Sequence, residues 1–149
     1  MSESYWRIVE PIWNTINLDS VEVFLETYSR SPRDAALLYA AHFCQSEVCN
    51  GGFHQLFYNV TGVLAPEAVD GFRAIEQRRV AETVQAAMDA LGSPYPRDRG
   101  MRAEILAHFT PRSFDALDEQ FFALIRTEAG GFEVATDKYA VRSRRLGGA

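Results

Sequence analysis

Residues 47–62, EVCNGGFHQLFYNVTG, set a Gly-Gly step between two runs that both carry helical periodicity. Whether this corner only turns the chain, cradles an anion or holds a metal decides how the rest is understood. Downstream of it Phe53, Leu56, Phe57 and Val60 recur at i, i+3, i+4 and i+7, so they share one face of a helix and form an apolar stripe that requires burial. Gly51 and Gly52 offer backbone angles closed to residues with a Cβ, and Asn50 tolerates the left-handed region or bonds to freed backbone groups. Gln55 and Asn59 share a second face at i, i+4. If that face is buried their amides need partners, and the orphan backbone groups at the Gly-Gly step and at Thr61-Gly62 are the expected ones. The stretch therefore predicts a structural corner made by Asn50, Gly51, Gly52, Phe53, Gln55, Phe57, Asn59 and Gly62, with a positive φ at one of the first two glycines.

Outward from the corner the apolar period stays near about 3.6, with little of the strict alternation that strands show. The expectation is an all-α fold, a single compact domain over 1–149 with eight or nine short helices near 4–17, 20–30, 33–49, 53–60, 66–76, 78–91, 98–109, 114–128 and 132–143. Asp19 or Ser20 is placed to cap the second helix, Pro66 to open a first turn, Gly92 with Pro94 and Pro96 to stop a helix, and Ser113 to cap the helix that follows it. A chain of 149 residues that is 47% hydrophobic and 23% charged can bury a core of ordinary size. No apolar window is long enough for a membrane helix and the N-terminus lacks the pattern of a signal peptide, so a cytoplasmic protein away from membranes is expected. Cys44 and Cys49, five apart on a helix, point about 140° apart around its axis, which suits two reduced core thiols better than a disulfide.

The corner's chemical alternatives are poorly furnished. It lacks the Lys of a phosphate-binding loop, follows a helix instead of a strand, and lies between Arg33 and Arg73, a span with no Lys or Arg at all. His42, Cys44, Cys49 and His54 supply four possible metal ligands within thirteen residues, but at no familiar ligand spacing, so no metal and no cofactor is expected. Neither GxSxG nor HExxH occurs, and no catalytic residue is assigned. An enzyme or metal site, were there one, would form near Glu47 and His54, where burial could perturb the carboxylate.

Charge divides unevenly along the chain. Residues 1–76 hold ten acids against four Arg, a balance of −6, whereas residues 77–149 hold ten against eleven Arg and Lys, a balance of +1, for −5 in all. Direct nucleic-acid binding is disfavoured, apart from the tail that carries Arg142, Arg144 and Arg145. Asp19, Glu22 and Glu26 fall at i, i+3 and i+7 on the second helix, opposite Val21, Phe24, Leu25 and Tyr28. Their axial steps of about 4.5 and 6 Å are on the scale of the roughly 3.4 Å rise per phosphate in a nucleic-acid strand. They are the candidate partner-binding face, although any solvated helix face carries the same pattern.

Residues 47–75, EVCNGGFHQLFYNVTGVLAPEAVDGFRAI, resemble the signature of a bacterial all-helical family of unknown function that carries an NGGFxQxFxN motif. Glu47, Val48, Asn50, Gly51, Gly52, Phe53, Gln55, Phe57, Asn59 and Gly62 match it, and the likeness extends over residues 34–140. That family includes a double-stranded DNA mimic. The resemblance therefore implies an all-helical fold and, from that member, binding to a basic DNA-binding protein in place of DNA. A mimic needs an unbroken negative field, and Arg78, Arg79, Arg97, Arg99 and Arg102 would interrupt any acidic surface near them. The expected function is a non-enzymatic acidic interaction module of DNA-mimic type. The alternatives are an uncharacterised enzyme or metal-binding protein with a site near Glu47 and His54, and an immunity-type or structural partner protein. Partner identity and oligomeric state are not legible in the sequence.

Overall fold

The computed structural model describes residues 3–147, with side chains over residues 5–144. Eight α-helices follow one another and the described residues form no strand: α1 (Glu3–Val9), α2 (Val21–Arg30), α3 (Arg33–Tyr58), α4 (Ala65–Ala74), α5 (Arg78–Leu91), α6 (Arg99–Leu106), α7 (Asp115–Thr127) and α8 (Phe132–Gly147). Short 3-10 turns at Glu10–Ile12, Val60–Leu64 and Glu128–Gly130 link them.

Helix ends follow local chemistry. The expected first helix over 4–17 stops early, because Pro11 cannot continue it and the chain makes a single 3-10 turn there. Ser20 caps α2, its Oγ accepting from Val23 N at 3.2 Å, and Asp98 caps α6 through Met101 N at 2.9 Å. Pro66 occupies the first turn of α4, and Gly92, at φ 140°, closes α5. Ser113 does not cap α7. The cap position falls on Phe114, which makes no capping bond, and Ser113 Oγ instead accepts from Thr110 N within the preceding turn.

The long helix α3 is the hub of the packing. Ala35 through His42 are buried without interruption, which a helix shows only when neighbours cover it on every side. Helix α4 lies so close that a Cβ on Gly71 would come within 2.5 Å of the Leu37 carbonyl oxygen. Beyond the corner, Phe53, Leu56 and Phe57 are wholly buried and meet aromatic residues of later elements: Phe53 packs edge-on against Phe121 with ring centroids 5.6 Å apart, and Phe57 lies 5.6 Å from Phe114. Leu38, Ala41 and Leu124 join the same core, whereas Leu37, though buried, is not part of that cluster.

Val60 departs from the expected stripe and is 40% exposed. The helix ends at Tyr58 and Asn59 turns to extended backbone (ψ 165°), so the i+7 position no longer falls in phase with Phe53. Of the two cysteines, Cys44 is buried as expected, whereas Cys49 is exposed because it precedes the corner on the outer side of α3.

Candidate functional site

Two structural features gather the residues singled out by sequence: the corner inside α3 and the outward face of α2. At the corner, Gly51 (φ −147°, ψ 16°) and Gly52 (φ 77°, ψ −178°) leave helical geometry while the chain on either side remains helical. The break exposes the N-terminus of the second limb, residues 53–58, and Asp118 of α7 reaches across to cap it, Oδ1 accepting from Phe53 N at 2.8 Å. A Cβ on Gly52 would lie 2.5 Å from the other oxygen of that carboxylate, so the glycine is required by its angle and by the close approach. Burial pushes the Asp118 carboxyl above its ordinary value, and the Phe53 amide opposes the shift.

Glu47, half-buried on the first limb, ties the two limbs together. Its carboxylate accepts from Gln55 Nε2 at 2.7 Å, from Asn59 Nδ2 at 3.2 Å and from Thr61 Oγ1 at 2.8 Å. This corrects the expectation that the Gln55 and Asn59 amides bond to backbone, since one carboxylate satisfies both. Asn50 is exposed, and its amide makes no hydrogen bond among the described residues.

The end of the second limb is held by Arg102, a residue that composition had placed on the surface. Its side chain is wholly buried. Nε donates to the Phe57 carbonyl at 2.8 Å, Nη2 to that of Asn59 at 3.0 Å, and Nη1 to those of Pro96 and Arg97. The cation thus neutralises carbonyls at a helix C-terminus, where the backbone dipole is negative. Gly62 leaves room for it, because a Cβ there would fall 2.7 Å from Arg102 Nε. Arg97 is also committed, in a bidentate pair with Glu67 at 2.8 Å for both bonds. No local pattern in the sequence marks Arg102, since the acceptors it holds at the end of the second limb lie 43 and 45 residues away.

Chemically the corner is a clasp. Glu47 is surrounded by three donors, and His54 stacks against Tyr58 with ring centroids 6.3 Å apart and makes no hydrogen bond to Glu47. Among the described residues no group of three or more His, Cys, Asp or Glu could hold a metal ion. His42 and Cys49 line one cleft, and His42 Nδ1 lies 3.0 Å from the Tyr5 hydroxyl.

Asp19, Glu22 and Glu26 are all exposed, but Asp19 lies outside α2, before the extended Ser20 cap, so only Glu22 and Glu26 hold the helical spacing expected of the three. Glu26 is 2.7 Å from Arg30 one turn on. Asp19 and Glu22 border a cleft whose far side carries Arg97, Asp98 and Arg99, with Arg99 lying 5.7 Å over the Tyr58 ring. The face is mixed in charge along this cleft, and beyond it Arg30 accompanies Glu26.

An all-helical scaffold with a cross-linked kink in its central helix and a charged helix face outside defines the class. Residues 29–143 match the family described as DMP19-like protein, and the chain belongs to that family. No curated protein and no solved structure matches it. Among the described residues no helix is long and apolar enough to cross a membrane.

Proposed function

We propose that this chain is a non-enzymatic acidic interaction module that binds a basic DNA-binding protein in place of DNA. The observation behind this reading is the exposed acids Glu22 and Glu26 on α2, with Asp19 exposed just before its cap and the opposite side of the helix anchored by the buried Phe24. Six other acids, Asp34, Glu47, Glu67, Asp98, Asp118 and Glu128, are occupied by internal hydrogen bonds. Among the described residues Asp19 and Glu22 have no cation as ion-pair partner, and the Glu26–Arg30 pair is open to solvent on both sides, so a partner's guanidinium can displace it at a cost below about 1 kcal/mol. Membership in the DMP19-like family is compatible with this role.

The test is to recover the partner from native extract, then measure its affinity for the triple variant Asp19→Asn, Glu22→Gln, Glu26→Gln over a series of salt concentrations. Weaker binding and a shallower salt dependence are expected, because charge attraction at an exposed rim is screened over about 10 Å at moderate salt. Unchanged affinity and slope would remove this face from the interface.

A further inference from the structure

A second feature, built from residues disjoint from α2, lies where α1, α3 and the α7–α8 turn meet. It is an open cleft of about 610 Å³, within the range of small-molecule sites, lined among others by Tyr5, His42, Gln45, Arg126, Phe132 and Val134. His42 is only 8% exposed and sits among the rings of Tyr5, Trp6, Trp13 and Phe43, with centroids 5.5 to 5.9 Å away. Its Nδ1 meets the Tyr5 hydroxyl at 3.0 Å. Burial pushes that phenol up to about 12, so it stays protonated, and it has no other acceptor among the described residues. The hydroxyl therefore donates to Nδ1, which leaves the proton of the neutral ring on Nε2. Nε2 has no hydrogen-bond partner among the described residues, yet it is not enclosed: the one fully enclosed, unpartnered side-chain polar atom among them is Gln77 Oε1. His42 lines the cleft, and Nε2–H is the donor it has left to offer there.

Two further sources of positive potential border it. Arg126 is exposed, with Nε bonded to the Phe122 carbonyl and its Nη groups left over. Helix α8 starts there behind Gly131 (φ 96°), which has no side chain to cap the first amides, unlike Ser20 and Asp98 at the starts of α2 and α6. Apolar walls come from Ile125, Phe132 and Val134. The Glu133 carboxylate on the rim opposes any anion, and a multiply charged one more than a singly charged one.

We propose that this cleft binds a small monocarboxylate with an apolar body, the carboxylate received by His42 Nε2, Arg126 and the first amides of α8, and the body by Ile125, Phe132 and Val134. The same chemistry is offered by a free organic acid and by the C-terminal carboxylate of a peptide. Because Trp6 and Trp13 flank His42, intrinsic tryptophan fluorescence of the full chain reports occupancy. Phenylbutyrate is the first probe, with phenylbutanol as its uncharged counterpart. Saturable quenching by the acid is expected, with the alcohol and the surface variant Arg126→Gln each weaker by about tenfold, the worth of one charge-assisted hydrogen bond. His42→Gln should abolish the quenching, and Arg126→Gln keeps the test decisive if that variant fails to fold. A short peptide ending in Phe, with a free or an amidated terminus, separates the sources. Tighter binding of the free-acid peptide than of phenylbutyrate assigns the cleft to chain termini, and failure of both peptides assigns it to free acids. Absence of saturable binding by phenylbutyrate, equal binding of the alcohol, or no effect of Arg126→Gln overturns the proposal. The α2 variant should bind the probes as the parent does, so this outcome is independent of the partner-binding reading.

Discussion

Single residues at the corner carry consequences out of proportion to their size. Alanine at Gly52 meets both a positive φ and the Asp118 carboxylate, and a loss of about 1 to 3 kcal/mol in chemical unfolding is expected. At Gly51 φ is negative, and the obstacle is the Gln55 side chain, whose Cβ a new Cβ would meet at 2.8 Å and whose amide it would push off Glu47, so alanine there should weaken the clasp. Glu47→Gln keeps the shape but turns an amide NH2 toward groups that are themselves donors, and should cost about 1 to 3 kcal/mol. Asp118 gives a pH signature. Its carboxyl is raised in the folded state, so the native protein holds that proton to higher pH than the unfolded chain does, and this group's contribution to stability falls as pH rises through the window above the ordinary value of 3.8. Asp118→Asn should flatten that part of the stability profile, as measured by unfolding midpoints across mildly acidic pH.

At the scale of elements, the corner was legible in sequence while its fastenings were not. The Gly-Gly step between two apolar stripes announced a kinked helix with one left-handed glycine, because both signals lie within a few consecutive residues. The caps that complete it come from far along the chain. Asp118 bonds an amide 65 residues away, and Glu128 supplies both oxygens to the first amides of α5, Arg79 N at 2.8 Å and Val80 N at 2.9 Å. Local pattern named Ser113 as a cap and missed these two, since tertiary contact alone decides which carboxylate reaches which helix end. Glu128→Gln should weaken α5 by about 0.5 to 2 kcal/mol, the ordinary worth of a cap. Hydrogen exchange should show lost protection confined to its first turn and to the α7–α8 connection. The same reasoning explains Val60, whose place in the apolar stripe held only while the helix continued.

For the whole molecule, the distribution of carboxylates matters more than their number. The net charge of −5 suggested a surface property, but five acids, Asp34, Glu47, Glu67, Asp118 and Glu128, are partly buried fasteners, and Arg102 and Arg97 are committed in the same way. Counting residues along the sequence could not separate these groups from Asp19, Glu22 and Glu26, because burial is a property of the packed chain. Helical periodicity settled the fold class from local signals, whereas the candidate surface depended on which charges remained outside. The central claim is that α2 presents those charges where DNA would otherwise sit. It is tested most directly by competition, with a labelled duplex bound to the recovered DNA-binding partner and this chain titrated in. The account predicts that the parent chain displaces the duplex and that the triple variant Asp19→Asn, Glu22→Gln, Glu26→Gln, folded and equally stable, requires about tenfold more protein to do so. A ternary complex in which chain and duplex are bound together, or equal competition by the variant, would contradict it.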